Sequence, residues 1–370
     1  MNWKLLLTVL ATLGIGSCES NVPVLETSYE VKLSGGSSYD DLFFVGGTLN
    51  GRRVLATWDN RLDSIWVYSL SASSRDSNEC SKLSLMRLGI SRVCGVYFDE
   101  VDDRIWVFSR HDQLLLELSN EYELVKSYSL TIPHESANDN AEHDLIPYAL
   151  VNPFIVKGGA FICAIGPEAD IPRFLNSNCF ASFDLTSSKW NSIGGYPRNM
   201  RMGLDPMFYY PILASDPTSS ENAYSVLFRS SNTFYNVKSG SVSSIHTLPT
   251  ASTIRYPRVE LGQTALQEQE LTITSSRILC AFRYKDVIAS IVYVGQNLRD
   301  SLGKLNPSDR STVLLIICNN MGELLNSKKL ESGSVDSREQ YFCQFGNSIY
   351  SIRPSTIGSV VITKIAVLPE

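Results

Sequence analysis

Little in this chain of 370 residues points to a reaction. It holds only four histidines, His111, His134, His143 and His246, and no His-Glu-x-x-His pair, which removes the zinc-peptidase helix. There is no Gly-x-Ser-x-Gly elbow, no Gly-x-x-x-x-Gly-Lys phosphate loop and no Gly-x-Gly-x-x-Gly turn, so the serine-hydrolase, nucleotide and dinucleotide classes lose their local signals. Without a Cys-x-x-Cys pair, thiol redox chemistry and a cysteine zinc site go the same way. No cofactor is expected. Charge of one sign is scarce too: 32 basic against 38 acidic residues give a formal charge of -6, and nucleic acid calls for a basic stripe. Apart from Leu5–Ile15 there is no long apolar run, and that one is shorter than the ~20 residues a bilayer-spanning helix needs.

What is present starts at the N-terminus. Lys4, the apolar stretch Leu5–Ile15 and the sequence Ile15-Gly16-Ser17-Cys18 read as a lipoprotein signal, with small residues before a thiol that takes the lipid. The expected organisation is a signal peptide over 1–17, a tether over 18–26 beginning at lipidated Cys18, and one folded domain over 27–370. The alternative is an ordinary secretory peptide cut nearby, leaving Cys18 a plain cysteine. On the first reading the partner is a membrane, held through the N-terminal lipid. Seven cysteines remain after Cys18, an odd number, so at least one thiol stays unpaired in a monomer. Cys163, Cys280 and Cys318 lie in apolar runs and are expected in the core, whereas Cys80 and Cys94 flank an apparent turn and are open to pairing.

The fold class is legible in strand chemistry. Asp59-Asn60-Arg61-Leu62-Asp63-Ser64-Ile65-Trp66-Val67-Tyr68-Ser69 returns 40 residues later as Asp99-Glu100-Val101-Asp102-Asp103-Arg104-Ile105-Trp106-Val107-Phe108-Ser109. Each copy reads as strand, acidic turn, strand. A period of ~40 to 45 residues matches a four-stranded propeller blade, and on that reading Trp66 and Trp106 take equivalent buried places in consecutive blades. Strand-like groups separated by Gly, Asn, Asp or Ser follow at 42–88, 95–130, 148–192, 207–247, 278–330 and 338–367. The expectation is an all-β chain, a β-propeller of six blades or alternatively seven. The last group is one strand short, and the alternating segment Thr27–Leu33 is suited to complete it and close the ring.

With the lipobox ending at Cys18, the Asp-x-x-x-Asp-x-Ile-Trp-Val pattern at Asp59 and Asp99 and the strand-rich layout, the chain resembles the TolB-like six-bladed propeller lipoproteins of Bacteroidetes, in one of their domain-of-unknown-function families. That resemblance implies a propeller exported to the outer membrane, with the periplasmic or cell-surface face left open. It implies no activity and carries over no catalytic residues.

Two constellations are candidates for chemistry. In Pro133–Asp144, the residues His134, Glu135, His143 and Asp144 supply oxygen and nitrogen donors for a metal, against the reading of a solvated loop between blades two and three. Tyr196-Pro197-Arg198, Arg201, Asp205, Phe208, Tyr209 and Tyr210, with Tyr256-Pro257-Arg258 later, mix aromatic faces with arginine forks. Aromatics stack on sugars and side chains and arginines grip carboxylates, so Arg198, Arg201, Tyr209, Tyr210 and Arg258 are the candidate ligand-binding residues. The opposing reading makes Tyr-Pro-Arg a loop-to-strand entry with tyrosine in the core. His111 and His246 are expected to be surface or packed residues. Two function classes follow: a noncatalytic binding or scaffold propeller for a glycan, peptide or envelope protein, and alternatively an extracellular polymer hydrolase or lyase using groups such as Glu135, His143 and Asp205 at the channel mouth.

Overall fold

Segments such as Phe154-Ile155-Val156-Lys157 and Val287–Val294 are buried at nearly every position, which requires strands covered on both faces. A computed structural model shows how this is met; it describes residues 28–34, 39–59, 63–70, 79–130, 143–145, 154–167, 178–197, 211–249, 270, 274–297, 299, 301–304, 312–330, 341–355 and 358–370. Six antiparallel sheets stand side by side around an axis. In chain order, β1 (Ser28–Lys32) comes first, and the first blade is β2 (Phe43–Leu49), β3 (Arg52–Trp58), β4 (Ser64–Ser69) and β5 (Cys80–Ser84). The second is β6 (Gly95–Asp99), β7 (Arg104–Ser109), β8 (Leu114–Leu118) and β9 (Leu124–Ser129). The third holds β10 (His143–Leu145), β11 (Phe154–Lys157), β12 (Ala160–Pro167), β13 (Asn178–Asp184) and β14 (Lys189–Gly195). The fourth is β15 (Pro211–Ser215), β16 (Ala223–Phe228), β17 (Thr233–Lys238) and β18 (Ser241–Thr247). The fifth is β19 (Arg277–Tyr284), β20 (Val287–Val294), β21 (Thr312–Asn319) and β22 (Leu324–Leu330). The last contains β23 (Phe342–Phe345), β24 (Ser348–Pro354) and β25 (Ser359–Val367). The chain is therefore a six-bladed β-propeller.

Burial falls from the axis outward. Inner strands β6 and β11 are buried throughout, whereas outer strands β9, β18 and β22 are largely exposed. Apolar clusters fill the gap between each blade and the next, including one shared by the sixth and first. The ring is closed by β1, which pairs antiparallel with β25 from Ser28 opposite Thr363 to Lys32 opposite Ser359, as the alternation in Thr27–Leu33 predicts. Tyr29 and Val31 of β1 point into the core, and Arg53 of the first blade donates to the Tyr29 hydroxyl and lies over the Tyr350 ring.

Two sequence expectations need correction. The inner strands begin at Phe43, Gly95, Phe154, Pro211, Arg277 and Phe342, so blades recur every 52 to 66 residues and not every 40. Trp66 accordingly lies in β4, the third strand of its blade, and Trp106 in β7, the second strand of the next. The duplicated motif is a hairpin used at two different places in a blade, because a buried second strand and a buried third strand ask for the same apolar chemistry. Nor do Cys80 and Cys94 pair: both are free thiols, Cys80 exposed on β5 of the first blade and Cys94 half-buried just before β6 of the second. The other described cysteines, Cys163, Cys179, Cys280, Cys318 and Cys343, are buried, as the apolar runs predict for three of them. Burial pushes the Cys318 thiol up to about 12, so it stays protonated at neutral pH.

Candidate functional site

Where the first strand of each blade turns into the second, one end of the central channel is ringed by polar side chains. Each ends or follows an apolar inner strand: Thr48 near the end of β2, Asp99 and Glu100 at β6, Lys157 at β11, Asp216 after β15, Arg283 on β19 and Gln344 on β23. Lys157 is placed by the tight turn Gly158–Gly159, whose φ values of +55° and +74° favour glycine; a Cβ on Gly158 would also come within 2.7 Å of Asn222.

Most of these groups stitch neighbouring blades together. The Asn50 amide donates to Asp103 Oδ1 at 2.7 Å, joining the first blade to the second. Lys157 Nζ, on a residue 3% exposed, donates to the Ser219 carbonyl at 2.7 Å, joining the third to the fourth. Asp216 accepts from the Thr218 amide and hydroxyl through Oδ1 and from the Lys285 amide at 2.8 Å through Oδ2. Arg283 donates through Nε to the Lys285 carbonyl and through Nη1 to Ser225 Oγ, while Gln344 Nε2 donates to the carbonyls of Arg283 and Gly346. Asp99 Oδ1 accepts from the Val101 and Asp102 amides and shapes its own turn. Replacing Asp216 by Ala strands the Lys285 and Thr218 donors; the expected loss is ~1 to 3 kcal/mol in chemical denaturation, with Asp216→Asn costing less, and an unmoved midpoint would refute the bridge.

Glu100 differs. Its Oε1 is buried and has no hydrogen-bond partner. Burial pushes the Glu100 carboxyl up, and contacts with Thr48, the Gly346 amide and the charge of Lys157 offset this only in part. Burial also raises Asp99 and lowers Lys157 and Arg283, against the attraction among these groups. In each case desolvation outweighs pairing, so burial and not attraction sets the direction of the shift. For Glu100 the sign is clear: a folded-state value above the unfolded one adds nothing at low pH and destabilises as pH rises through the interval between them. Glu100→Gln is therefore expected to unfold at pH 7 no more readily than the unaltered chain, as thermal melts would show.

Inside the collar lies a cavity of about 50 Å³, lined among others by Tyr97, Phe98, Glu100, Ser215, Phe282 and Gln344. All six blades contribute to its wall. Tyr97 reaches past the third blade, its hydroxyl 3.5 Å from Ser215 Oγ. A cavity of this size holds on the order of three to five waters and no sugar ring.

The candidates from sequence are scattered differently. Cys18, His134, Glu135, Arg198, Arg201, Asp205, Phe208, Tyr209, Tyr210 and Arg258 lie outside the described residues. His143 and Asp144 open β10, whose backbone pairs with Pro167 and Gly166 of β12 on the edge that β11 shares, so this part of the acidic-histidine segment is a strand beside the axis. Tyr196, at the end of the third blade, is buried against Phe228 with ring centroids 6.0 Å apart, which is the core role expected of tyrosine in Tyr-Pro-Arg. His111 is exposed, and His246 packs on Phe234 with Nε2 2.8 Å from Ser244 Oγ. Among the described residues no group of three or more His, Cys, Asp or Glu is placed to hold a metal ion. Sequence reasoning missed Glu100, Lys157, Asp216, Arg283 and Gln344. The available signal was a single polar residue closing each apolar inner strand, as in Phe-Ile-Val-Lys and Cys-Ala-Phe-Arg.

Neither a protein-family model nor a curated protein matches the sequence. Among solved structures the chain is similar to a member of the DUF4221 family from Bacteroides vulgatus, with a TM-score of 0.68 and 13% identity over 91% of this chain and 95% of that one. The fold is thus shared with a Bacteroides protein from a family of unknown function, in keeping with the resemblance seen in the sequence. A catalytically inactive virginiamycin B lyase from Staphylococcus aureus with quinupristin matches at a TM-score of 0.47 and 11% identity, over 92% of this chain and 100% of that one.

Proposed function

We propose that this chain is a noncatalytic binding or scaffold propeller, anchored by a lipid on Cys18 in the outer membrane and offering one face to a glycan, peptide or envelope protein. The observation that carries the reading is the collar at the channel mouth. Its lysine, arginine and aspartates are engaged in bonds between blades or within turns, so among the described residues they serve to hold a rigid ring around a small, polar-rimmed opening. Catalysis by general acid and base needs groups free to exchange protons with a substrate. Recognition needs only a preformed surface, and a ring whose blade cores are independent of its loops supplies one. The test is a screen of envelope glycans and peptides for binding and, in parallel, for cleavage, with and without added divalent metal. Binding without turnover is the expected result.

A hydrolase or lyase acting on an extracellular polymer is the second reading, and β10 is the observation that favours it, since it sets His143 and Asp144 on a strand beside the axis. Cleavage abolished by His143→Ala or Glu135→Gln would establish that reading and overturn the first. For the anchor, Cys18→Ser is expected to move the mature protein from the membrane pellet to the soluble envelope fraction, because lipid chains supply nearly all of the membrane affinity. Retention in the membrane at high salt would refute lipidation at Cys18.

A further inference from the structure

We propose that the end of the ring opposite the collar docks on an anionic lipid surface, through apolar side chains that project among cations from the first and fifth blades. Met86 stands on the one-turn helix Leu85–Leu88, in the link from the first blade to the second. The Leu85 amide donates to the Asp63 carbonyl beside the start of β4, which places the helix at the end away from the collar. Leu85 and Leu88 are buried and fix the helix to the blade, whereas Met86 is 86% exposed. Leu302, 82% exposed, lies on the loop between β20 and β21, which leaves the fifth blade at the same end. No other large apolar side chain among the described residues is as exposed as these two.

One exposed methionine is ordinary on a protein surface, and the charges around it are what select a partner. Arg87 follows Met86 on the helix and Arg92 lies further along the link, both exposed. Ser91 bonds to Asp112, which draws in the turn after β7 that carries Arg110 and His111, and the charges of Arg92 and Arg110 both reach the Cys94 thiol. The acids beside them are occupied: Asp112 accepts from Ser91 and Ser109, Asp63 accepts from Ser64 with Lys82 4.0 Å away, and Asp59 is buried. Near Leu302 are Arg299, which donates to the Gly303 carbonyl at 2.7 Å, and the exposed Lys304. The collar end of the second blade has the opposite sign, with Asp102, Glu121 and Glu123 exposed at its turns. Anionic headgroups are attracted to the first end and repelled by the second, and projecting apolar side chains enter the interface between headgroups and acyl chains. Ten residues separate Cys18 from Ser28, a reach of ~33 Å when extended, enough to bring this end to a bilayer and turn the channel mouth away from it.

The docking goes beyond the lipid anchor proposed above and is tested without it. The purified Cys18→Ser chain would be floated with vesicles of phosphatidylcholine alone and with phosphatidylglycerol added, at low and at high salt. At low salt, binding to the anionic vesicles is expected to be on the order of tenfold tighter or more, and at high salt it should vanish. Release of Cys18→Ser from the membrane pellet bears on the anchor, whereas flotation bears on the docking face alone. Met86→Ser combined with Leu302→Ser should lower the affinity several-fold. Arg87→Gln combined with Arg92→Gln should abolish the preference for phosphatidylglycerol, and neither pair should move the thermal midpoint, because all four side chains are exposed. Val101→Ser, at an exposed position on the collar side of the second blade, should change nothing. Equal binding to both kinds of vesicle, or an unchanged affinity in the Met86 and Leu302 double variant, would overturn the proposal. So would a dimer that Met86→Ser dissolves, since the face would then belong to a second copy of the chain.

Discussion

A chain from which residues 28–32 are deleted should lose cooperative folding under conditions where the intact protein is stable. The deletion removes the outer strand of the sixth blade, with its five-residue ladder against β25. It also removes Tyr29 and Val31 from the cluster between the sixth and first blades, where Val31 is fully buried. Burying each such side chain contributes ~1.5 to 3 kcal/mol, and the ladder and the Arg53 contact add to this, so the expected loss is about 5 kcal/mol or more. Against a net stability of ~5 to 15 kcal/mol for a domain, that is enough to unfold a marginal ring. The deletion further exposes the edge of β25, an invitation to pair with another chain. Urea unfolding followed by tryptophan fluorescence is the measurement. Val31→Asp, which buries a charge without shortening the chain, should act in the same direction, and Ser28→Ala, at an exposed position, should stay within ~0.5 kcal/mol. A deletion variant that keeps its midpoint would mean that the N-terminal strand decorates the ring without closing it.

The second large effect separates two tryptophans that look identical in sequence. Trp106→Ala is expected to cost ~3 to 5 kcal/mol and Trp66→Ala roughly 1 kcal/mol. Trp106 is 5% exposed and sits in the cluster joining the second, third and fourth blades, its ring 6.0 Å from that of Tyr128. Removing it opens a cavity that two packed sheets cannot readily collapse around. Trp66 is only partly buried, and one face of its ring carries the Lys82 ammonium at 5.3 Å, an exposed contact of small worth. A further contrast tests the reason: the Trp106 indole N–H has no hydrogen-bond partner, so Trp106→Phe keeps most of the packing and gives up no bond. Equal losses for the two alanine variants would restore the view that they occupy equivalent places.

These tryptophans also show how far local sequence reaches. The Ile-Trp-Val-aromatic run reports a strand buried on both faces, and that holds for β4 and β7 alike. It carries no information on which strand of a blade it is, because second and third strands are both paired on each edge and take the same β-branched and aromatic residues. Blade limits, by contrast, were legible: the groups at 42–88, 95–130 and 207–247 enclose the first, second and fourth blades, since breaks of Gly, Asn, Asp and Ser interrupt the apolar runs there. The buried cysteines were legible for the same reason, as Cys280 and Cys318 sit within runs that have nowhere to lie except the core.

The channel mouth was not. Glu100, Lys157, Asp216, Arg283 and Gln344 lie in five different blades, and each looks in sequence like any polar residue that ends a strand. By itself the sequence determined that the chain is built of strands, the limits of the first, second and fourth blades, and the need for Thr27–Leu33 to complete the last sheet, because burial pattern and turn chemistry act over a few residues at a time. Only the tertiary structure decided that the ends of the inner strands converge on one opening, that Lys157, Asp216 and Arg283 are taken up in holding blades together, and that Glu100 Oε1 is buried without a hydrogen-bond partner. That outcome depends on closing the ring, which brings together side chains more than fifty residues apart and strips water from them, and no local pattern encodes a distance of that kind.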